Sequence, residues 1–239
     1  MRYRSVLFLA MVAVAPALAQ PSVDQILDKY AQALGGKDAY EKVTSRMSKG
    51  TVDIPDDDAH GTAVVIAEAP ARYRLTMDIP AYGGAIEMVL DGDQGWEKNP
   101  DSGVHAMSNR DLAVAKRDFS FYRETRLKEM YAKLETAGTD KVGDRSVYLV
   151  QATPAEGPAE KLYFDAENGL LLKRDFERIT LEDGIVQYEM VYSDYRDVDG
   201  LKLPFTIERR SPDSTMILKF SELKNNPALD AAAFAKPVK

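Results

Sequence analysis

The amino-acid sequence predicts a mainly β (α+β) fold: a curved antiparallel sheet of about ten to eleven strands forming an unclosed β-barrel, with helices covering its concave side. Three features lead there. Apolar and polar residues alternate with period two over most of residues 134–223. Asn168-Gly169, Asp183-Gly184 and Asp199-Gly200 punctuate that stretch with hairpin turns. Helical spacing is confined to segments after Ser22 and Ser108 and a short piece near the C-terminus.

Along the chain, Arg2 and Arg4 precede the apolar run Val6–Ala19, which ends in Ala17-Leu18-Ala19. A positive start, a short apolar run and an A-x-A site describe a secretory signal peptide, residues 1–19. Its apolar run is short for a bilayer span, which takes about 20 residues. Cleavage after Ala19 removes two arginines and takes the formal charge from −7 to −9. Residues 20–239 show no linker or composition shift and read as a single domain, exported and periplasmic.

Ser22 with Gln25 makes a capping box, and Val23, Ile26, Leu27, Tyr30, Ala33 and Leu34 share one helical face before Gly35-Gly36. A second short helix is expected from Lys37 to about Val43. From Met47 the period becomes two, with strands at 62–67, 72–79 and 85–91 and shorter candidates at 94–98 and 104–107. Ser108 caps a helix with Leu112, Ala115, Lys116 and Phe119 on one side, the candidate plug or lid. Strands resume at 134–140, 146–153, 161–165, 170–178, 186–196, 202–210 and 215–223, and a helical piece follows at 230–234. Tyr188, Met190 and Tyr192 share a face, as do Leu201, Leu203, Phe205 and Ile207, and Met216, Leu218 and Phe220, while the alternate positions are polar. The alternation does not say which face is concave, nor whether the apolar face is packed core or a container.

The residue inventory excludes several chemistries. An acidic chain without a basic patch does not suit nucleic acid. Absence of cysteine removes thiolate catalysis, cysteine metal sites and N-terminal lipidation at cysteine. His60 and His105 are the only histidines and have no metal-ligand spacing. No nucleophile elbow, phosphate loop or dinucleotide fingerprint is present. Neither a cofactor nor a metal is expected.

The stretch "APARYRLTMDIP" followed by "MVLDGDQGWEKNP", residues 69–100, resembles the central strands of the LolA/LolB-like superfamily of periplasmic lipoprotein-sorting carriers. The matching positions are Pro70, Tyr73, Met77, Pro80, Asp91, Gly92 and Trp96. "LDAAAFAKP", residues 229–237, resembles that family's closing segment through Asp230, Ala231, Ala232, Phe234 and Pro237. The resemblance implies an unclosed barrel with a helical lid over a hydrophobic cavity that receives acyl chains. It departs at Ala69, where the carrier has a lid-holding arginine; Arg72 and Arg74 are the candidates to replace it.

The resulting expectation is a soluble carrier or binding protein for a lipid or an acylated lipoprotein, without covalent chemistry. Leu75, Met77, Ile86, Met88, Trp96, Phe119, Phe121, Tyr188, Met190, Leu203, Phe205, Met216 and Leu218 are the expected ligand-binding residues. Two alternatives stand beside it: an envelope sensor or protein-interaction module on the same fold, and a metal-assisted hydrolase around His60 and its acidic neighbours. Ligand identity, donor, acceptor and oligomeric state are not legible in the sequence.

Overall fold

A computed structural model describes residues 20–180 and 184–238; the expected signal peptide and the Asp183 side of one hairpin lie outside them. Helix α1 (Val23–Ala33) and the short α2 (Lys37–Tyr40) precede six strands: β1 (Ser45–Ile54), β2 (Ala59–Glu68), β3 (Arg72–Ile79), β4 (Gly84–Asp91), β5 (Gln94–Asn99) and β6 (Gly103–Ala106). A crossover, residues 107–132, carries α3 (Asn109–Asp118) and α4 (Leu127–Met130). Seven strands follow: β7 (Lys133–Val142), β8 (Arg145–Thr153), β9 (Glu160–Asp165), β10 (Leu171–Thr180), β11 (Gly184–Val198), β12 (Leu201–Arg210) and β13 (Thr215–Asn225).

All thirteen strands form one antiparallel sheet in the order β6-β5-β4-β3-β2-β1-β13-β12-β11-β10-β9-β8-β7. The two edges, β6 and β7, do not pair, so the barrel is unclosed. The sequence reading falls short in strand number because β1 has an irregular pattern. Ser48 and Gly50 occupy its inward positions, and a bulge at Lys49/Gly50 breaks the alternation against β13. The second helix also stops at Tyr40, earlier than expected.

Local chemistry explains the ends of these elements. Ser22 Oγ accepts from the Gln25 amide at 3.3 Å, and Gln25 Oε1 accepts from the Ser22 amide at 2.8 Å, which completes the capping box of α1. Asp199 and Gly200 both have positive φ, +55° and +82°, as a type I′ turn between β11 and β12 requires. The Asn168-Gly169 turn is built differently: the Asp165 carboxylate accepts from the amides of Glu167 and Asn168 at 2.8 and 2.9 Å.

The strand register assigns every inward side chain. Val52 pairs with Leu218, Ala63 with Met77, Leu75 with Met88 and Tyr192 with Ile207, so these share one face. Helix α1 and the crossover cover part of it. Ile26, Leu27 and Tyr30 pack with Phe121, Leu127 and Tyr131 against Val150, Leu162, Phe164 and Leu203. Tyr30 meets Phe164 edge-on at 5.1 Å. A second cluster joins Val52, Ile54, Ala63, Met77 and Ile79 to Phe205, Met216, Leu218 and Phe220; among the described residues neither α1 nor the crossover contributes to it, and Tyr82 of the turn Pro80–Tyr82 packs against it. On the convex face, the terminal turn Ala231–Phe234 packs over β3 and β4, with Phe234 buried and Ala233 O accepting from Arg74 at 3.0 Å.

Close approach at the β1 bulge generates a stability prediction. A Cβ on Gly50 would lie 1.9 Å from the Lys219 carbonyl oxygen and 2.7 Å from the Phe220 Cα. Backbone on both sides has to move to admit it, so Gly50→Ala is expected to cost at least about 2 kcal/mol. Urea denaturation checks this; an unchanged midpoint would show that the β1·β13 seam is not tight.

Candidate functional site

The concave apolar face is assembled from seven neighbouring strands. Leu75 and Met77 on β3, Ile86 and Met88 on β4, Tyr188 and Met190 on β11, Leu203 and Phe205 on β12, and Met216 and Leu218 on β13 all stand on it. Phe119 joins from the crossover, its ring stacked on the inward Tyr73 at 4.3 Å. Phe121 is buried beneath α1. Trp96 stands on the other face, paired with Val89, where the terminal turn covers the neighbouring strands. Met77, Leu203, Phe205, Met216 and Leu218 are buried, whereas Leu75, Ile86, Met88, Tyr188 and Met190 are only partly covered.

The crossover lies over this face as a strap, because it has to travel from edge strand β6 to edge strand β7. Its first half is held by apolar contact: Met107 and Leu112 sit against Gly95 so closely that a Cβ there would collide with both. Beyond α3 the Phe121 amide donates to Pro70 O at 3.3 Å, and the Tyr122 hydroxyl donates to Val43 O at 3.2 Å.

Its second half is held by charge. Asp118, at the end of α3, accepts from Arg174 Nη2 at 2.9 Å and also from Arg178; Arg117 Nε lies 3.2 Å from the same carboxylate. Glu160, at the start of β9, accepts from Arg174 Nε at 2.7 Å and from Arg117 Nη2 at 2.5 Å. The Tyr131 hydroxyl donates to Glu160 and accepts from Arg123 Nη2, both at 2.8 Å. Arg123 and Arg174 are each 3% exposed and Glu160 2%. This is an interior ionic network joining strap to sheet, in which four guanidinium groups face two carboxylates.

Burial alone would raise both carboxyl pKa values, yet the guanidinium groups overcome it. Asp118, with Arg174 and Arg178 beside it, is held down to about 2, and Glu160 is held below its ordinary range. Burial lowers the Arg178 pKa, while Arg174 stays well above the ordinary value because Asp118 and Glu160 favour its charged form. Arg123 is not ion-paired within the network, and its buried Nε has no acceptor among the described residues.

The sequence reading did not find this network. Its members are scattered from residue 117 to 178, and two of its arginines, Arg174 and Arg178, occupy inward strand positions where alternation anticipates apolar residues. The proposed replacements for the missing lid arginine lie elsewhere. Arg72 bonds Glu68 and Asp91, and Arg74 bonds Glu87 and the terminal turn, all on the convex face. His60 bonds Asp53 at 2.7 Å in an exposed hairpin, and His105 is exposed on β6; among the described residues no cluster fit to hold a metal occurs. Two open hollows lie elsewhere, about 490 Å³ at the end of α1 and about 440 Å³ around Arg145 and Asp165.

An unclosed antiparallel half-barrel with a strap across an apolar concave face is a LolA-like fold. Solved structures agree. A LolA-superfamily protein from Nitrosomonas europaea superposes with a TM-score of 0.60 at 14% identity, over 91% of this chain and 99% of that one. A DUF1329-family protein from Desulfovibrio piger gives 0.60 at 17% identity, over 89% and 97%. A domain assigned to outer-membrane lipoprotein sorting, from Vibrio parahaemolyticus, gives 0.55 at 12% identity, over 87% and 97%. No protein-family model and no curated protein matches the sequence. The likeness is one of fold.

The network makes the strap acid-sensitive. Asp118 has a depressed folded pKa, so its contribution is complete above the unfolded value near 3.9 and is lost as pH falls through about 2. Asp118→Asn is expected to cost about 3–5 kcal/mol at pH 7 by leaving buried guanidinium charge uncompensated. Wild type is expected to lose roughly 2 kcal/mol between pH 4 and 2 that the variant does not lose. Equal losses across that window, measured by urea titration at each pH, would show that Asp118 is not held low.

Proposed function

We propose that the protein is an exported, periplasmic carrier or binding protein for a hydrophobic ligand, a lipid or the acyl chains of a lipoprotein, with residues 20–239 acting as one domain and no covalent chemistry. The observation that carries this reading is the continuous apolar face of seven strands under a strap. Leu75, Ile86, Met88, Tyr188 and Met190 are left partly uncovered on it. Among the described residues, no helix is long and apolar enough to cross a membrane.

The physical case rests on shape and chemistry. Each methylene buried from water contributes about 0.8 kcal/mol, so an acyl chain gains affinity by length without specific hydrogen bonds. Met77, Met88, Met190 and Met216 supply flexible, polarisable side chains that can re-pack around such a chain. The inner cluster is closed on itself in this structure, so a ligand would enter by parting those side chains.

Titration of the mature protein with a fluorescent long-chain fatty acid tests the reading. Saturable binding is expected, weakened at least about tenfold by Met88→Asp combined with Met190→Asp. Absence of saturable binding to fatty acid, phospholipid and lipopeptide would sink the carrier reading. If pulldown from envelope extract then gave one stoichiometric protein partner and no lipid, the interaction-module alternative would take its place.

A further inference from the structure

Arg209 is an arginine on the concave apolar face. The register sets it beside Met190 of β11 and Met216 of β13, and its guanidinium lies 5.6 Å from the Tyr188 ring centroid. The side chain is exposed, and among the described residues it makes no ion pair; neighbouring carboxylates are engaged elsewhere. Glu189 and Glu208 stand on the outer face and pair with Arg210, and Asp175, also outward, pairs with Lys173.

Arg209 also ends a row of stacked groups. Tyr188 stacks on Phe176 with centroids 5.5 Å apart, and the guanidinium groups of Arg174 and Arg178 lie 4.5 and 4.3 Å from the Phe176 centroid. Behind that row, Arg117, Arg123, Arg174 and Arg178 outnumber Asp118 and Glu160 by two charges, with the Arg123 Nε unpartnered. A chain of formal charge −7 thus concentrates cations on the concave side, next to the apolar face.

A surface that is apolar over several strands and cationic at one side fits a molecule that is apolar over its length and anionic at one end. We propose that the ligand is an anionic amphiphile: its acyl chain lies on the face formed by Leu75, Met88 and Met190, and its carboxylate or phosphate head is held by Arg209. This inference rests on the carrier reading and narrows its ligand class. The unpartnered guanidinium supplies charge-assisted donors to an oxyanion, and the cationic network behind it adds attraction of the same sign.

Isothermal titration of the mature protein with a set of twelve-carbon probes tests it. The probes are laurate, dodecyl phosphate, dodecanol and dodecyltrimethylammonium, each below its micellar concentration. Laurate and dodecyl phosphate are expected to bind about tenfold more tightly than dodecanol, and the cationic probe more weakly than dodecanol. Arg209→Gln is expected to abolish the preference, and Arg209→Lys to keep most of it. Equal binding of laurate and dodecanol to the wild type, or an anion preference that survives Arg209→Gln, would overturn the headgroup assignment and leave the carrier reading standing. Inorganic phosphate competing as well as dodecyl phosphate would overturn it in favour of a free-anion site. Binding of none of the four would bring down both.

Discussion

The buried ionic network is the constraint on which the concave side depends. A chain that runs from one edge of an unclosed sheet to the other cannot be held by strand hydrogen bonds, because neither edge is available to it along the way. It needs anchors within the sheet's hollow. Apolar contacts supply them on the β3–β5 side, through Phe119 on Tyr73 and Leu112 against Gly95. On the β9–β10 side, Asp118 and Arg117 reach Glu160, Arg174 and Arg178. Replacing such a network by packed hydrophobes is often neutral or favourable for stability. What the charged version adds is geometry, since each carboxylate meets its guanidinium partners at defined directions.

The consequence reaches the apolar face. Apolar anchors alone would allow the strap to slide, and a sliding strap would cover the partly open residues differently in every molecule. With the network in place, Leu75, Met88 and Met190 keep an accessible side while Leu203 stays under cover. Ligand access and strap position are therefore linked through one set of buried charges.

Much of the sheet was legible in the sequence, and the reason is geometric. Period-two alternation placed Leu75, Met77, Ile86, Met88, Tyr188, Met190, Leu203, Phe205, Met216 and Leu218 on a common face, which the register shares out in that way. Trp96 was grouped with them because β4 and β5 carry apolar residues on both faces. Val89 and Trp96 face outward, on the side where the C-terminal turn packs over β3 and β4, and alternation says nothing of a segment that returns from over a hundred residues away. The ionic network escaped for the opposite reason. Arg174 and Arg178 flank Phe176 on the inward side of β10, so the pattern there carries charge where a half-buried strand is expected to carry hydrocarbon. The crossover's path, which no local pattern encodes, brings both arginines Asp118, while β9 supplies Glu160 to Arg174.

The pairing of β1 with β13 shapes how the molecule comes into being. The first strand to be made sits in the middle of the finished sheet, and the neighbour on its open side is the last strand of the chain, with Arg46 opposite Asn225. During synthesis the meander β1–β6 carries a bare central edge, and so does the growing meander from β7 onward, until residues 215–225 arrive to join them. Unpaired inner strands are adhesive, and a seam of such sequence separation closes slowly. The half-barrel is complete only once residues 215–225 have joined the two meanders.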